Sequence, residues 1–193
     1  ASLAPSEMCI RDRCIIDNKS VAVFSYPLAH NVECFGYKIL FKKQKGSLDA
    51  NKLKELGIMP GPFYREIKEA DTFEFNGIVY NSSEFLSEDK PEKEISIIPD
   101  TRYFDGLGEF VKNSNIIISE CTYLLKEDAH HARKNYHLSI LDIEKIIAQS
   151  KVESLFLTHI SARYDRNIEK EAIESLHDKC NVKIAHDLEE YSL

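Results

Sequence analysis

Four short apolar or β-branched runs, at 95–98, 115–118, 154–157 and 182–185, alternate with helix-like stretches near 105–112, 139–150 and 167–179. That is a βαβ rhythm, and it predicts an α/β fold built on a mostly parallel sheet. The middle helix carries its own start signal. Ser139 can cap it, Asp142 falls in its first turn, and Ile140, Ile143, Ile146 and Ile147 form an apolar stripe that reads as core. Upstream, Cys14 to Ile16 and Val21 to Tyr26 flank the polar Asp-Asn-Lys-Ser and read as a hairpin, and Phe35 to Phe41 reads as a further strand. Residues 1–13 show no period and read as a non-native scar. The body of the domain is therefore expected over 14–193.

In open α/β sheets ligands gather beyond the carboxyl ends of the strands, where loops rather than helices meet solvent. Asp100, Glu120 and His159 each lie one to three residues past an apolar run, and His30 follows the 21–26 run after Pro-Leu-Ala. A single histidine in such a place is more often a surface or capping residue, and an aspartate there commonly caps a turn. Together, two histidines and an aspartate make a donor set suited to zinc or manganese, and a carboxylate can bridge two ions.

Composition narrows the classes. With 193 residues, 43% of them apolar, the chain can bury an ordinary core, and no run approaches the ~20 apolar residues of a membrane helix. Nothing resembles a secretory signal, so a cytoplasmic protein with no membrane partner is expected. Five scattered cysteines with no Cys-x-x-Cys argue against a disulfide framework or a thiolate zinc site. A net charge of −7 has the wrong sign for a simple nucleic-acid binder. One window departs from it: between Lys42 and Ala70 seven basic residues face four acidic ones. It reads either as a solvated charged insertion or as a basic surface for a polyanion. Within it, 49–56 is a helix candidate ended by Gly57, Pro60-Gly61-Pro62 is a stiff turn, and 72–75 and 78–80 are short strands.

The segments His-Asn-Val-Glu-Cys-Phe-Gly-Tyr-Lys, Leu-Lys-Glu-Leu-Gly-Ile-Met-Pro-Gly-Pro-Phe-Tyr, Pro-Asp-Thr-Arg, Glu-Cys-Thr-Tyr, Tyr-His-Leu-Ser and Leu-Thr-His-Ile-Ser-Ala-Arg-Tyr occur in this order. In that order the chain, from about residue 20 to its end, resembles ribonuclease Z. The resemblance implies the C-terminal portion of a metallo-β-lactamase fold (an αββα sandwich) with an inserted tRNA-binding arm at about 42–90. It also implies endonucleolytic removal of the 3′ trailer of precursor tRNA, leaving a 3′-hydroxyl, with two zinc ions. By motif, His30 and His159 would each hold one ion and Asp100 would bridge them. His137 would protonate the leaving oxygen, with Glu120 orienting it.

Arg163 and Tyr164 would line the site, or else form a structural pair at a helix entrance. Lys52, Lys54, Pro60, Gly61, Pro62 and Arg65 would belong to the arm that grips tRNA, and family members are commonly homodimers. The family's His-x-His-x-Asp-His motif, which supplies most remaining ligands and the proposed base, is absent from this sequence. The expectation is a ribonuclease Z lacking that half, with two ions bound poorly and little hydrolysis by the isolated chain. Another metallo-β-lactamase-fold hydrolase and a non-catalytic tRNA-binding subunit are the alternatives.

Overall fold

The computed structural model describes residues 13–191. Residues 1–12 of the expected scar lie outside the described residues, whereas Arg13, assigned to it, opens the first strand. The described residues divide into two compact units, one comprising 13–41 and 93–191, the other Lys42–Glu92.

In the larger unit, β1 (Arg13–Asp17), β2 (Val21–Pro27) and β3 (Phe35–Phe41) form an antiparallel run. It continues through β6 (Lys93–Ile98), β7 (Ile116–Glu120), β8 (Ser154–Thr158) and β9 (Asn181–Ile184) into one seven-stranded sheet of order β1-β2-β3-β6-β7-β8-β9. The last four strands are parallel, as the alternating rhythm predicts. Helices α3 (Gly106–Val111), α5 (Ile140–Ala148) and α6 (Arg166–Leu176) form the crossovers. The start of α5 is a capping box in which the Ser139 hydroxyl and backbone N–H donate to the Asp142 carboxylate at 2.7 and 3.2 Å. Asp165 caps α6 by accepting from Asn167 N and Ile168 N at 2.9 and 3.0 Å.

All three crossover helices contribute to the core on one face of the sheet, where Leu107, Phe110, Ile143, Ile146 and Leu176 meet Ile98, Ile117, Leu155 and Leu157. The opposite face carries Ile95, Ile116 and Phe156 with Ile39, Ile97, Ile118 and Tyr191, and no helix packs there among the described residues. Strand register extends this apolar row through Val23 to Ile16 at the sheet edge. The described residues thus form one sheet and one helical layer of the expected four-layer sandwich.

The smaller unit has its own core of Leu53, Ile58, Ile67, Phe73 and Phe85. Its elements are α1 (Ala50–Glu55), α2 (Pro62–Glu69) and the hairpin β4 (Thr72–Phe75)–β5 (Ile78–Asn81). Asp49 caps α1, and Gly57, at φ 89°, occupies the left-handed conformation that ends it. The sequence reading stops at a turn over Pro60 to Pro62. In the structure Pro62 is the first residue of α2, a position where the missing N–H costs nothing.

Candidate active site

Five side chains converge at the carboxyl end of the parallel strands. His30 stands in the loop after β2, Asp100 after β6, Glu120 at the end of β7 and His159 one residue past β8. His137 follows a helix the sequence did not suggest, α4 (Ala129–Lys134). Two of the loops are laced together: Ala29 N donates to Thr101 Oγ1 at 3.0 Å, and Arg102 N to Ala29 O at 3.0 Å. Backbone strain gathers here as well. His159 (φ 54°) and Tyr136 (φ 62°) hold left-handed conformations that cost a non-glycine residue on the order of 1 kcal/mol or more.

Glu120 organises the cluster. It is fully buried, and its two oxygens take four hydrogen bonds. Oε1 accepts from Thr101 N (2.9 Å) and His137 Nδ1 (3.1 Å), and Oε2 accepts from Thr122 N (3.1 Å) and Thr122 Oγ1 (2.8 Å). A carboxylate only accepts, so His137 carries hydrogen on Nδ1 and directs Nε2 away from Glu120. The single Thr122 hydroxyl hydrogen is likewise committed to Glu120. The 2.7 Å contact between Thr122 Oγ1 and His159 Nδ1 therefore has the imidazole as donor, which leaves the Nε2 lone pair of His159 free. Asp100 Oδ1, 3.6 Å from the same Nδ1, favours that tautomer.

These are the tautomers in which imidazole ligates a metal through Nε2, and neutral nitrogens with a carboxylate suit zinc or manganese. Ligand atoms of His30, Asp100 and His137 lie within 4.8 Å of one another, and so do those of Glu120, His137 and His159. The His137 and His159 rings stack at 5.1 Å, and the His30 and His137 rings meet edge to face at 5.7 Å. Cys34 lies close by, but its thiol is pushed up by burial and then by the negative charges of Asp100 and Glu120.

Arg163 and Tyr164 are committed to each other and to Asp128. The guanidinium is 2.6 Å from the Asp128 carboxylate and donates to Tyr164 Oη at 2.6 Å, while Tyr164 donates to Asp128 at 2.7 Å. Arg163 also lies over the Tyr123 and Tyr164 rings at 4.9 and 4.7 Å. The tyrosine phenol is pushed up, first by burial and then by its bond to Asp128. This geometry favours the structural pairing.

The remaining sequence-predicted residues, Lys52, Lys54, Pro60, Gly61, Pro62 and Arg65, all belong to the smaller unit and are exposed. Lys52 donates to Glu84 O and Arg65 pairs with Glu69. His130 and His131, unassigned by the sequence, are exposed on α4. Thr101, Thr122 and Asp128 were missed. The only signal for the threonines is a hydroxyl one residue after Asp100 and two after Glu120.

No family model matches the chain. Curated ribonuclease Z proteins of Bacillus thuringiensis (strain Al Hakam) and Bacillus anthracis are each 31% identical over 179 residues, 92% of this chain. The chain spans 58% of the length of these relatives. Among solved structures, the metallo-beta-lactamase fold protein YhfI from Bacillus subtilis matches with a TM-score of 0.54 at 17% identity, over 91% of this chain and 50% of that one. The short form of human tRNase Z matches with a TM-score of 0.51 at 15% identity, over 93% and 46%. In sequence the chain is similar to these curated ribonuclease Z proteins, and its fold is that of the metallo-β-lactamase-fold structures it matches.

Proposed function

We propose that this chain carries part of the active site of a zinc-dependent endoribonuclease that removes the 3′ trailer of precursor tRNA and leaves a 3′-hydroxyl. The observation that carries this reading is the convergence of His30, Asp100, Glu120, His137 and His159 at one sheet edge, in a chain whose curated relatives bear the name ribonuclease Z. His30, Asp100 and His159 would hold zinc, since the tautomer argument leaves His159 a free Nε2 and Asp100 lies half exposed beside it. Zinc bound there supplies Lewis-acid polarisation of a phosphodiester. Glu120 keeps His137 oriented through Nδ1, so a proton on Nε2 can pass to the leaving oxygen. The attacking water would need a base from outside these residues, because the sequence has no His-x-His-x-Asp-His.

The smaller unit would be the tRNA arm. Its positive balance is local: over Lys42–Glu92 as a whole, eight basic residues face ten acidic ones. Phosphate contacts would therefore come from the α1–α2 half, where Lys52, Lys54 and Arg65 are exposed. On this reading the working protein is cytoplasmic and homodimeric. No described helix is long and apolar enough to cross a membrane.

The test is to incubate 3′-extended precursor tRNA and zinc with this chain, with and without a polypeptide bearing the His-x-His-x-Asp-His segment of a Bacillus ribonuclease Z. Trailer removal is expected only with both, and is expected to be lost with His159→Ala. Absence of cleavage under every condition, with both polypeptides folded, would contradict the reading.

A further inference from the structure

We propose that Arg102 is the phosphate-binding side chain of this site, held over the Tyr136 ring so that its guanidinium takes a backbone phosphate of the RNA next to the cleavage junction. The assignment rests on the ribonuclease reading above and adds a substrate-positioning residue to it. Two anchors fix Arg102. Its backbone N–H donates to Ala29 O at 3.0 Å, beside His30, and its guanidinium carbon lies 4.9 Å from the centre of the Tyr136 ring, beside His137. The Tyr136 and His30 ring centres are 6.2 Å apart. The guanidinium thus stands at the rim of the histidine cluster, tied to the chain neighbours of two of its members.

Tyr136 is an unusual platform. At φ 62° it occupies a conformation that a bulky side chain rarely adopts, and such strain gathers where a binding site over-determines the backbone. Its ring is only half-buried, so core packing does not account for it.

Charge decides what Arg102 can serve. Among the described residues no carboxylate pairs with its exposed side chain, whose flat face is spent on the ring. The N–H donors lie in the guanidinium plane, so stacking leaves them open to an acceptor, and their fork matches two phosphate oxygens. Arg163 offers no such fork, being committed to Asp128 and Tyr164 at 2.6 Å each. A phosphodiester entering the site meets Asp100 and Glu120 in a chain of net charge −7, and a cation at the rim offsets that repulsion.

The experiment is fluorescence anisotropy of a labelled 3′-extended precursor tRNA with the full chain over a range of salt. Arg102→Ala is expected to weaken binding about tenfold, as loss of a charge-assisted hydrogen bond does. The slope of log K against log salt should fall by about 0.7, the value for one single-strand phosphate contact. Arg102→Lys should keep the slope and recover only part of the affinity, since the charge stays while the fork goes. Tyr136→Asn, which tolerates the left-handed backbone, should keep the urea midpoint and weaken binding about two- to fivefold. Lys151→Ala removes an exposed charge ahead of β8, at the opposite end of the parallel strands, and should leave the affinity unchanged. A neutral methylphosphonate at a phosphate flanking the junction should weaken binding to the unaltered chain and cost Arg102→Ala nothing further. An unchanged slope in Arg102→Ala, an equal loss in Lys151→Ala, or full additivity at every flanking phosphate would overturn the proposal. If Arg102→Ala does not fold, Arg102→Gln is read by the same slope. The two claims fail separately. Trailer removal by the complemented protein with Arg102→Ala neutral in KM sinks this assignment alone, whereas RNA bound through Arg102 and never cleaved upholds it and sinks the ribonuclease reading.

Discussion

Thr122 does two jobs with one hydroxyl. It donates to Glu120 and accepts from His159, so the protonation pattern of a buried carboxylate reaches a histidine to which Glu120 itself makes no hydrogen bond. Thr122→Val removes that relay while keeping the shape of the side chain. The expected outcome is a stability loss of about 1–3 kcal/mol in urea unfolding, because a buried carboxylate oxygen loses a donor. His159 should also become a mixture of tautomers by 15N NMR, and Thr122→Ser should restore the single form. Glu120→Gln is expected to be worse tolerated. Its amide NH2 would face N–H donors where only an acceptor fits, and loosening of the Thr101 and His137 loops should appear as faster amide exchange at both.

Elements with strong periodic or capping signals were legible in the sequence, and elements set by tertiary burial were not. The Ser139–Asp142 box and the isoleucine stripe of α5 could be read directly, and the stripe is buried as expected. Ile143→Ala should therefore cost about 2–5 kcal/mol by urea unfolding, since the cavity lies in the middle of the helix-face core. In contrast, α4 has the sequence Ala-His-His-Ala-Arg-Lys, with Ala132 its one buried residue, and so shows no apolar stripe to recognise. The start of α2 was hidden by Pro60-Gly61-Pro62, which a sequence reader takes for a turn. The site shows the same division. Its ligand-type residues could be placed past strand ends, but the threonines that orient them could not, because a hydroxyl near a strand end has many uses. In the smaller unit, replacing Lys52, Lys54 and Arg65 with alanine should weaken tRNA binding uniformly across sequences. The slope of log K against log salt should fall by up to about 0.9 per contact removed. An unchanged slope would remove the unit from tRNA recognition.

Across the whole molecule, the sheet is covered by helices on one side and presents an apolar row on the other. On the parallel strands Ile95, Ile116 and Phe156 of this second face are buried, but on the antiparallel strands beside them Phe35, Tyr37 and Phe41 of β3 are 37%, 38% and 41% exposed, with Ile16 at 48% on β1. The relatives contain additional chain beyond the matched 58% of their length, and in the αββα arrangement a second sheet would bury this row. The chain alone should accordingly bind a hydrophobic dye such as ANS on this face, and a polypeptide carrying the rest of a Bacillus ribonuclease Z should suppress that fluorescence. The most direct test of the central claim, that these residues furnish a working share of a ribonuclease Z site, is a chimera in which this chain replaces the matched 179 residues of the Bacillus thuringiensis protein. The measurement is trailer removal from precursor tRNA with the product end mapped. Cleavage at the tRNA 3′ end, lost with Asp100→Asn or His159→Ala, is the predicted result; a folded, zinc-loaded chimera that leaves the trailer in place would contradict it.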